Sequence, residues 1–206
     1  MSDSPPELRA RVSRETAQRL DIFVAELRRW QRALNLVSPE SLRDVWTRHV
    51  DDSLQLAELE PSARTWLDLG SGGGLPGLIV AAGNPTLEMA LVESDARKCA
   101  FLRSTARRMG VAAVIHQQRI EDIAAGPMAP PAVVSARALA PLTLLLAYAQ
   151  PFLGRGATGL FPKGRNVARE LTEARESWNF EADIVPSRTD PEGRILRIRD
   201  FAGPRS

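Results

Sequence analysis

Cysteine, histidine and lysine are scarce in this sequence of 206 residues. Its single cysteine, Cys99, excludes an intrachain disulfide and is typical of proteins in reducing compartments. The two histidines, His49 and His116, are far apart in the sequence, so we expect no zinc site and no other metal centre. Neither a Ser-His-Asp arrangement nor a Gly-x-Ser-x-Gly motif is present, which argues against the common serine hydrolases.

A long hydrophobic run is also missing. The most apolar stretch, residues 138–153, contains Pro141, Gln150 and Pro151 and is shorter than a membrane-spanning helix. The first residues lack the basic and apolar segments of a secretory signal. Hydrophobic residues nevertheless make up 44% of the chain and charged residues 25%, which is enough for a globular protein with a substantial core. We therefore expect a soluble, cytoplasmic protein that does not associate with membranes.

Positive charge is carried almost entirely by arginine, because Lys98 and Lys163 are the only lysines among 27 basic residues. The net charge of +2 is unevenly distributed: residues 1–102 carry −3 and residues 103–206 carry +5. Guanidinium groups match phosphate oxygens well, so a basic half would suit a polyanionic partner. An arginine-rich genome would produce the same counts, and charge alone leaves both explanations open.

Residues 1–60 are predicted to form a helical layer. Apolar residues recur every three or four positions after Ser13, which indicates an amphipathic helix. Ser38 followed by Pro39 is typical of the start of a second helix. Apolar residues from Leu42 to Leu54 predict that this second helix continues without a break.

Residues 61–206 are predicted to form one globular α/β unit, on which the helical layer packs. Short apolar segments alternate with helical patterns along this part of the chain. Strands are expected near residues 65–69, 88–92, 113–116, 132–135, 157–161, 181–185 and 194–198, and helices near 76–82, 96–109, 142–152 and 166–178. This alternation, ending in a pair of strands, predicts a doubly wound, Rossmann-like sheet with an antiparallel hairpin at its edge.

A glycine-rich segment follows the first predicted strand. Four glycines occur between positions 70 and 74, and a helix is predicted directly after them. Open α/β sheets bind nucleotides at this position, because residues without side chains let the backbone turn tightly and approach a ligand. Gly72-x-Gly74-x-x-Gly77 formally matches the dinucleotide fingerprint, which is a weak signal on its own. Glu93, at the end of the second strand, would bind ribose hydroxyls of either a dinucleotide or S-adenosylmethionine.

Asp68 distinguishes between these two cofactors. It stands two positions before the first glycine, in a pattern that resembles motif I of the class I methyltransferases. In those enzymes the acidic residue orients the glycine loop or reaches the amino group of the methionine moiety. A buried carboxylate would be unfavourable beside a pyrophosphate. S-adenosylmethionine is therefore favoured over NAD as the cofactor.

Further motifs occur in a particular order along the chain. They are Trp30-x-x-x-x-Asn35-Leu36-x-Ser38, Arg48-His49-x-x-Asp52-Ser53, the segment from Asp68 to Gly77, Arg119-Ile120-Glu121, Ala136-Arg137-Ala138 and Lys163-Gly164. Together they resemble the bacterial 16S ribosomal RNA guanine-N7 methyltransferases, once called glucose-inhibited division protein B. The resemblance extends from about Trp30 to about Ile198, with a departure at Val37, where the family often has threonine.

The resemblance implies a class I S-adenosylmethionine-dependent methyltransferase that modifies N7 of a guanine in the 16S ribosomal RNA of the small subunit. The residues assigned to the cofactor site are Asp68, Gly70, Gly72, Gly74, Leu75, Glu93, Ile120, Glu121 and Arg137. The residues assigned to RNA binding are Arg48, His49, Arg137, Lys163 and Arg165.

Several of these assignments have a structural alternative. Arg119 and Glu121 would also fit a surface ion pair. Arg48 and His49 would fit the packing of the second helix, and Lys163 a solvated loop.

The expected chemistry explains why no general base stands out. N7 of neutral guanine carries a free lone pair, so no proton has to be removed before methyl transfer, and we predict no catalytic residue. The role left for Arg137 and Lys163 would be to position the reactants. Three other functions remain open at this point: a nicotinamide-dependent dehydrogenase, a non-catalytic RNA-binding factor of ribosome assembly, and a small-molecule methyltransferase.

Overall fold

The computed structural model describes residues 3–126 and 128–205, and within them seven strands form one sheet flanked by helices. The strands are β1 (Thr65–Leu69), β2 (Glu88–Glu93), β3 (Ala113–Gln117), β4 (Val133–Ser135), β5 (Thr158–Lys163), β6 (Trp178–Pro186) and β7 (Arg194–Pro204). The α-helices are α1 (Pro6–Arg11), α2 (Arg14–Leu34), α3 (Pro39–Arg43), α4 (Asp52–Leu59), α5 (Gly77–Gly83), α6 (Ala96–Met109), α7 (Ile120–Ala125), α8 (Leu142–Leu153) and α9 (Val167–Ser177). A π-helical segment, Trp46–Asp51, precedes α4.

The strand order of the sheet is β3-β2-β1-β4-β5-β7-β6. Strands β1 to β5 are parallel, and β7 is antiparallel to both β5 and β6. The predicted doubly wound sheet and its terminal hairpin are therefore confirmed, although both hairpin strands are longer than expected. The order reverses between β1 and β4, and ligands of open α/β sheets bind at the carboxyl ends of the strands beside such a reversal.

Each face of the sheet is covered by its own helical layer. Neighbouring residues along a strand point to opposite faces, so Trp66 and Leu160 contribute to one hydrophobic cluster and Leu67 and Phe161 to the other. The first cluster also contains residues of α2, α4, α5 and α6, and the second contains residues of α7, α8 and α9. Across the described ranges, no helix has both the length and the apolar character needed to span a bilayer.

Helix α2 matches the first helix expected from the sequence. Ser13 caps it, because the Ser13 hydroxyl accepts a hydrogen bond from the backbone N–H of Thr16 at 3.1 Å. The apolar stripe of the helix, including Leu20, Phe23 and Leu27, is fully buried, and the helix packs against α5 and α6. The amino-terminal helices therefore share a hydrophobic cluster with α5 and α6.

The prediction of one continuous second helix is wrong. The chain forms α3, leaves helical geometry at Asp44, continues through the π-helical segment and only then enters α4. The β-branched residues Val45, Thr47 and Val50 fall in this interruption, and such residues have low helix propensity. Single π-helical turns are frequent at functional sites, and this one contains Arg48 and His49. Helices α1 and α7 were not expected from the sequence.

Candidate functional site

The loop between β1 and α5 turns sharply at its glycines. Gly70, Gly72 and Gly74 have positive φ angles of 64°, 49° and 77°, a region that glycine occupies at little cost. A side chain at Gly70 would also collide with Leu139, since an added Cβ would lie 2.6 Å from Leu139 Cδ1. Glu93 supports the loop from β2, because its Oε2 accepts a hydrogen bond from the Gly72 N–H at 3.0 Å.

Asp68 lies beneath the glycine loop and is completely buried. Its Oδ1 accepts a hydrogen bond from the Ser135 hydroxyl at 2.7 Å, and its Oδ2 accepts one from the Gly77 N–H at 3.3 Å. Burial raises the pKa of Asp68 to about 6, against the opposing effect of its hydrogen bonds. The carboxylate thus connects β1, β4 and the start of α5, so it orients the loop from below.

Gly77 leaves no room for a side chain above Asp68. An added Cβ would lie 2.3 Å from Leu91 Cδ2 and 3.0 Å from Asp68 Oδ2. We expect Gly77→Ala to lower the free energy of unfolding by about 2–3 kcal/mol, because overpacking a buried site displaces its neighbours. Urea unfolding measures this change.

Gly83→Ala is the matched control in the same helix. An added Cβ there would meet Leu54 Cδ2 at 3.5 Å, which is an ordinary contact. Alanine is also a better helix former than glycine, so a change within about 0.5 kcal/mol of wild type is expected. Equal losses of stability in the two variants would contradict the tight packing above Asp68.

The glycine loop forms one wall of a cavity of about 470 Å³, which we call the glycine-loop cavity. Its volume lies in the range of small-molecule sites. The predicted cofactor residues that line it are Gly70, Gly72, Leu75, Glu93, Ile120, Glu121 and Arg137. Asp68 and Gly74 do not line it: Asp68 lies below the loop, and a Cβ at Gly74 would face Leu78 instead. Other lining residues include Leu36, Val37, Lys98, Leu144 and Tyr148, which the sequence motifs did not assign to the cofactor.

A second cavity, of about 720 Å³, adjoins the first; we call it the hairpin cavity because the turn between β6 and β7 forms part of its wall. The two cavities share Leu36, Val37 and the segment 137–140. Of the residues predicted to bind RNA, Arg48, His49, Arg137 and Lys163 line the hairpin cavity, whereas Arg165 is exposed outside it. A larger cavity of about 900 Å³, beside Arg64 at the amino end of β1, contains none of the predicted site residues.

Arg137 occupies the boundary between the two cavities and is held by three acceptors. Its Nη1 donates to the backbone oxygen of Arg48 at 3.1 Å and to Asp52 Oδ2 at 3.3 Å, and its Nη2 contacts His49 Nδ1 at 2.7 Å. The next residue, Ala138, has a φ of 52°, which is unusual for a residue with a side chain. Strained backbone of this kind is concentrated at functional sites.

His49 is neutral and positions Arg137. Burial, together with the nearby charges of Arg137 and Arg48, lowers the pKa of His49 to about 3. A guanidinium can only donate, so Nδ1 of His49 accepts from Arg137, and Nε2–H donates to the Ser41 hydroxyl at 3.0 Å. The packing role considered for His49 therefore fits its burial, and it is coupled to the site through Arg137.

Asp52 connects the amino-terminal helices to the terminal hairpin. While Oδ2 accepts from Arg137, Oδ1 accepts from Gln55 Nε2 at 2.9 Å and from the Thr189 hydroxyl at 3.0 Å. Three segments that are distant in sequence thus meet around one carboxylate. Asp52 belongs to one of the motifs noted above, but nothing in the sequence indicated its contact with Thr189.

Lys163 is not the solvated loop residue that the sequence left as an alternative. It ends β5, and only 9% of its side chain is exposed. Its ammonium donates to the Ala140 backbone oxygen at 2.9 Å and to Glu170 Oε2 at 2.7 Å. The other alternative, a surface pair between Arg119 and Glu121, does not occur among the ion pairs of residues 3–126 and 128–205.

Solved structures of methyltransferases are among those that resemble this fold. The crystal structure of a methyltransferase from Geobacter sulfurreducens has a TM-score of 0.61 and 16% identity, and the match covers 86% of this chain and 87% of that one. An O-methyltransferase from Bacillus cereus in complex with SAH has a TM-score of 0.60 and 15% identity, covering 86% and 90%. These matches confirm the class I methyltransferase fold that the sequence predicted.

Sequence relatives narrow the comparison to one family. A protein named ribosomal RNA small subunit methyltransferase G from Methylobacterium radiotolerans is 57% identical over 95% of this chain and 93% of its own length. One of the same name from Parvibaculum lavamentivorans is 53% identical over 94% of this chain and 87% of its own length. A family model described as rRNA small subunit methyltransferase G matches residues 16–192. Neither a dehydrogenase nor a non-catalytic assembly factor finds support in these matches. Since the family model spans most of the chain and such relatives cover nearly all of it, the chain belongs to the rRNA small subunit methyltransferase G family.

Proposed function

We propose that this protein transfers the methyl group of S-adenosylmethionine to N7 of a guanine in the 16S ribosomal RNA of the small subunit. The observation that carries the proposal is the pair of adjoining cavities, one under the glycine loop and one beside the hairpin, with Arg137 at their boundary. A methyl donor in the first and a base in the second would meet across the shared segment 137–140.

The residues of the glycine-loop cavity fit S-adenosylmethionine. The glycines allow close backbone approach, and the positive φ angle of Gly70 disfavours a residue with a side chain there. Each carboxylate oxygen of Glu93 accepts one backbone hydrogen bond, Oε2 from Gly72 and Oε1 from Asp95. Each oxygen keeps a further lone pair, which would suit a ribose hydroxyl. Ile120 and Glu121, at the start of α7, would hold the adenine by apolar contact and hydrogen bonding.

The reaction requires the protein to align the methyl donor with the base, and it requires no proton transfer. When bound, S-adenosylmethionine supplies a methyl group activated by a positively charged sulfur. The N7 lone pair of guanine attacks directly, so neither His49 nor any other residue is needed as a general base. His49 and Asp52 hold the Arg137 guanidinium in one orientation, and such fixed positioning supplies a large part of a rate enhancement. We propose no metal ion in this reaction.

RNA binding is proposed to depend mainly on phosphate contacts and therefore on salt. Arg48 and Arg165 are exposed, so they are better placed for phosphate than Lys163, whose ammonium is already bonded to Glu170. N7 of guanine lies in the deep groove of an A-form helix, so the target base is expected to be unpaired or flipped out. The partner would be the small ribosomal subunit in the cytoplasm.

The proposal is tested with small subunits from a strain that lacks the gene. Incubation with methyl-labelled S-adenosylmethionine and this protein should label 16S RNA, and mass mapping should locate one N7-methylguanosine. A titration with S-adenosylhomocysteine should show binding, and one with NAD should not. Absence of label from the RNA, or label on another atom of the base, would refute the proposal.

A further inference from the structure

We propose that Glu170 is the residue that recognises the target guanine, by accepting hydrogen bonds from its N1–H and N2 amino groups in the hairpin cavity. This inference rests on the proposed function and assigns a specificity-determining residue to it. It is carried by the contacts of the Glu170 carboxylate, in which one oxygen is fixed and the other has no donor among residues 3–126 and 128–205.

The fixed oxygen of Glu170 is Oε2. It accepts a hydrogen bond from Lys163 Nζ at 2.7 Å and another from the Leu142 backbone N–H at 2.8 Å. The side chain comes from α9, whereas its two donors come from β5 and α8, so three elements hold the carboxylate in one orientation. A carboxylate fixed in this way presents its second oxygen without further loss of side-chain freedom.

The second oxygen, Oε1, is available to a ligand. In the described part of the chain it has no hydrogen-bond partner, and the side chain is 18% exposed on the wall of the hairpin cavity. Thr105 Oγ1 is the only fully buried side-chain nitrogen or oxygen without a hydrogen-bond partner among the described residues. Oε1 of Glu170 is not in that class, so it is accessible from the surface. Glu170 therefore brings an oxygen without a donor among the described residues to the wall of a cavity that is large enough for a nucleobase.

Glu170 also lies next to the boundary with the glycine-loop cavity. The Lys163 ammonium that binds Glu170 donates a second hydrogen bond to the Ala140 backbone oxygen. Ala140 belongs to the segment 137–140, which lines both cavities. A base that rests against this segment would direct its N7 edge towards the glycine-loop cavity and its opposite edge towards Glu170.

The other carboxylates on this cavity are less suitable. Both oxygens of Asp52 are occupied by protein donors, including Arg137 and Thr189. Asp190 accepts the backbone N–H of Glu192 within the turn between β6 and β7 and makes no contact with the segment 137–140 among the described hydrogen bonds. Glu170 is therefore the carboxylate that combines fixed orientation, a free oxygen and a connection to the boundary.

The chemistry of guanine fits a carboxylate acceptor. Guanine presents two donors, N1–H and the N2 amino group, on the edge opposite N7, whereas adenine presents an acceptor at N1. A site built to accept these donors leaves buried groups unpaired with adenine and rejects it strongly.

The carboxylate also suits the charge that develops on the base. In the transfer the bond from carbon to sulfur breaks, the electron pair remains on sulfur, and the N7 lone pair forms the new bond. The positive charge thus moves from sulfur to the guanine ring, where a nearby carboxylate stabilises it.

The decisive variant is Glu170→Gln. The glutamine oxygen keeps both donors, Lys163 and Leu142, but the amide presents N–H groups to the cavity in place of an acceptor. We expect kcat/KM for methylation of gene-deleted small subunits to fall by about tenfold to a hundredfold, as for loss of hydrogen bonds to a charged group. Affinity for S-adenosylhomocysteine should stay unchanged, whereas the Tm should fall by roughly a few degrees, because the Lys163 ammonium, with 9% of its side chain exposed, loses its charged partner. Glu173→Gln, at an exposed position of the same helix, should behave as wild type.

Substitution of the substrate separates recognition from a structural role. Small subunits are reconstituted with inosine, which lacks the N2 amino group, at the modified position. Wild type should methylate inosine-containing subunits several-fold less efficiently than guanine-containing ones, whereas Glu170→Gln should not distinguish them.

The alternative outcomes distinguish failure of the proposed function from failure of the role of Glu170. If wild type labels no RNA, the proposed function fails. If wild type labels RNA and Glu170→Gln methylates it equally well, only the role of Glu170 fails. The same holds if Glu170→Gln loses cofactor affinity, if it still distinguishes inosine from guanine, or if Asp190→Asn is the variant that loses activity.

Discussion

Replacement of Arg137 by methionine is expected to lower kcat/KM for methylation of small-subunit RNA by about a hundredfold. This loss corresponds to about 2.7 kcal/mol of transition-state stabilisation. The substitution removes the shared donor of Arg48, His49 and Asp52 at the boundary between the cavities. It leaves the Asp52 carboxylate, with 17% of its side chain exposed, without its guanidinium partner, which is more costly than never having formed the pair. We expect the free energy of unfolding to fall as well, by about 2 kcal/mol.

Lysine at the same position tests whether charge or geometry matters. A lysine ammonium keeps the positive charge but does not reproduce the planar fork that reaches three acceptors at once. Arg137→Lys should therefore stay well below wild type in methylation. Arg199→Met, which removes an exposed arginine of β7, should leave the rate within about twofold, as for a surface ion pair. Unchanged cofactor affinity and unchanged methylation in Arg137→Met would refute the assignment of Arg137 to the site.

The stability difference between wild type and Asp68→Asn is expected to depend on pH, decreasing by about 2 kcal/mol between pH 4 and pH 7. Burial raises the pKa of Asp68 to about 6 in the folded protein, from 3.8 in the unfolded chain. Between these values the folded state retains a proton that the unfolded chain has released, so the stability that Asp68 contributes falls as the pH rises. Above about pH 7 both states are ionised and the difference should be constant. Urea unfolding of both proteins over this range measures it.

Asp95→Asn provides a control of opposite sign. Asp95 caps α6 and accepts hydrogen bonds from the N–H groups of Arg97 and Lys98, which lower its pKa. Stability from Asp95 is therefore present above pH 4 and lost as the pH falls, so the difference between wild type and Asp95→Asn should not decrease from pH 4 to pH 7. An Asp68→Asn difference that increases over this range would contradict the burial effect at Asp68.

The glycine loop was predictable because its determinants are local. Asp68 and Gly77 are nine residues apart, and both belong to a single strand–loop–helix unit whose pattern is visible in the sequence. The apolar periodicity of α2 and the capping residue Ser13 are local in the same sense. For the same reason the strand–helix alternation predicted the sheet. The interruption between α3 and α4 was missed, because the spacing of apolar residues does not distinguish an α-helical turn from a π-helical turn.

The arrangement around Arg137 was not predictable in detail. Arg137 and Asp52 are 85 residues apart, and Asp52 and Thr189 are 137 apart. Their contact depends on the order of strands in the sheet and on the insertion of β7 between β5 and β6, which brings the hairpin turn over the amino-terminal helices. Resemblance to a family indicated Arg137 and Lys163, but not which acceptors hold them.

By itself the sequence determined the class of fold, the strand that ends in the glycine loop, and the family, because each depends on residue patterns of short range or on motifs in a given order. Only the tertiary structure decided that two cavities adjoin at segment 137–140, that Lys163 is paired with Glu170, and that one oxygen of Glu170 has no donor in the part of the chain that the structure describes. Burial and pairing of a charged side chain are properties of its whole surroundings, and those surroundings come from segments that meet only when the sheet has formed.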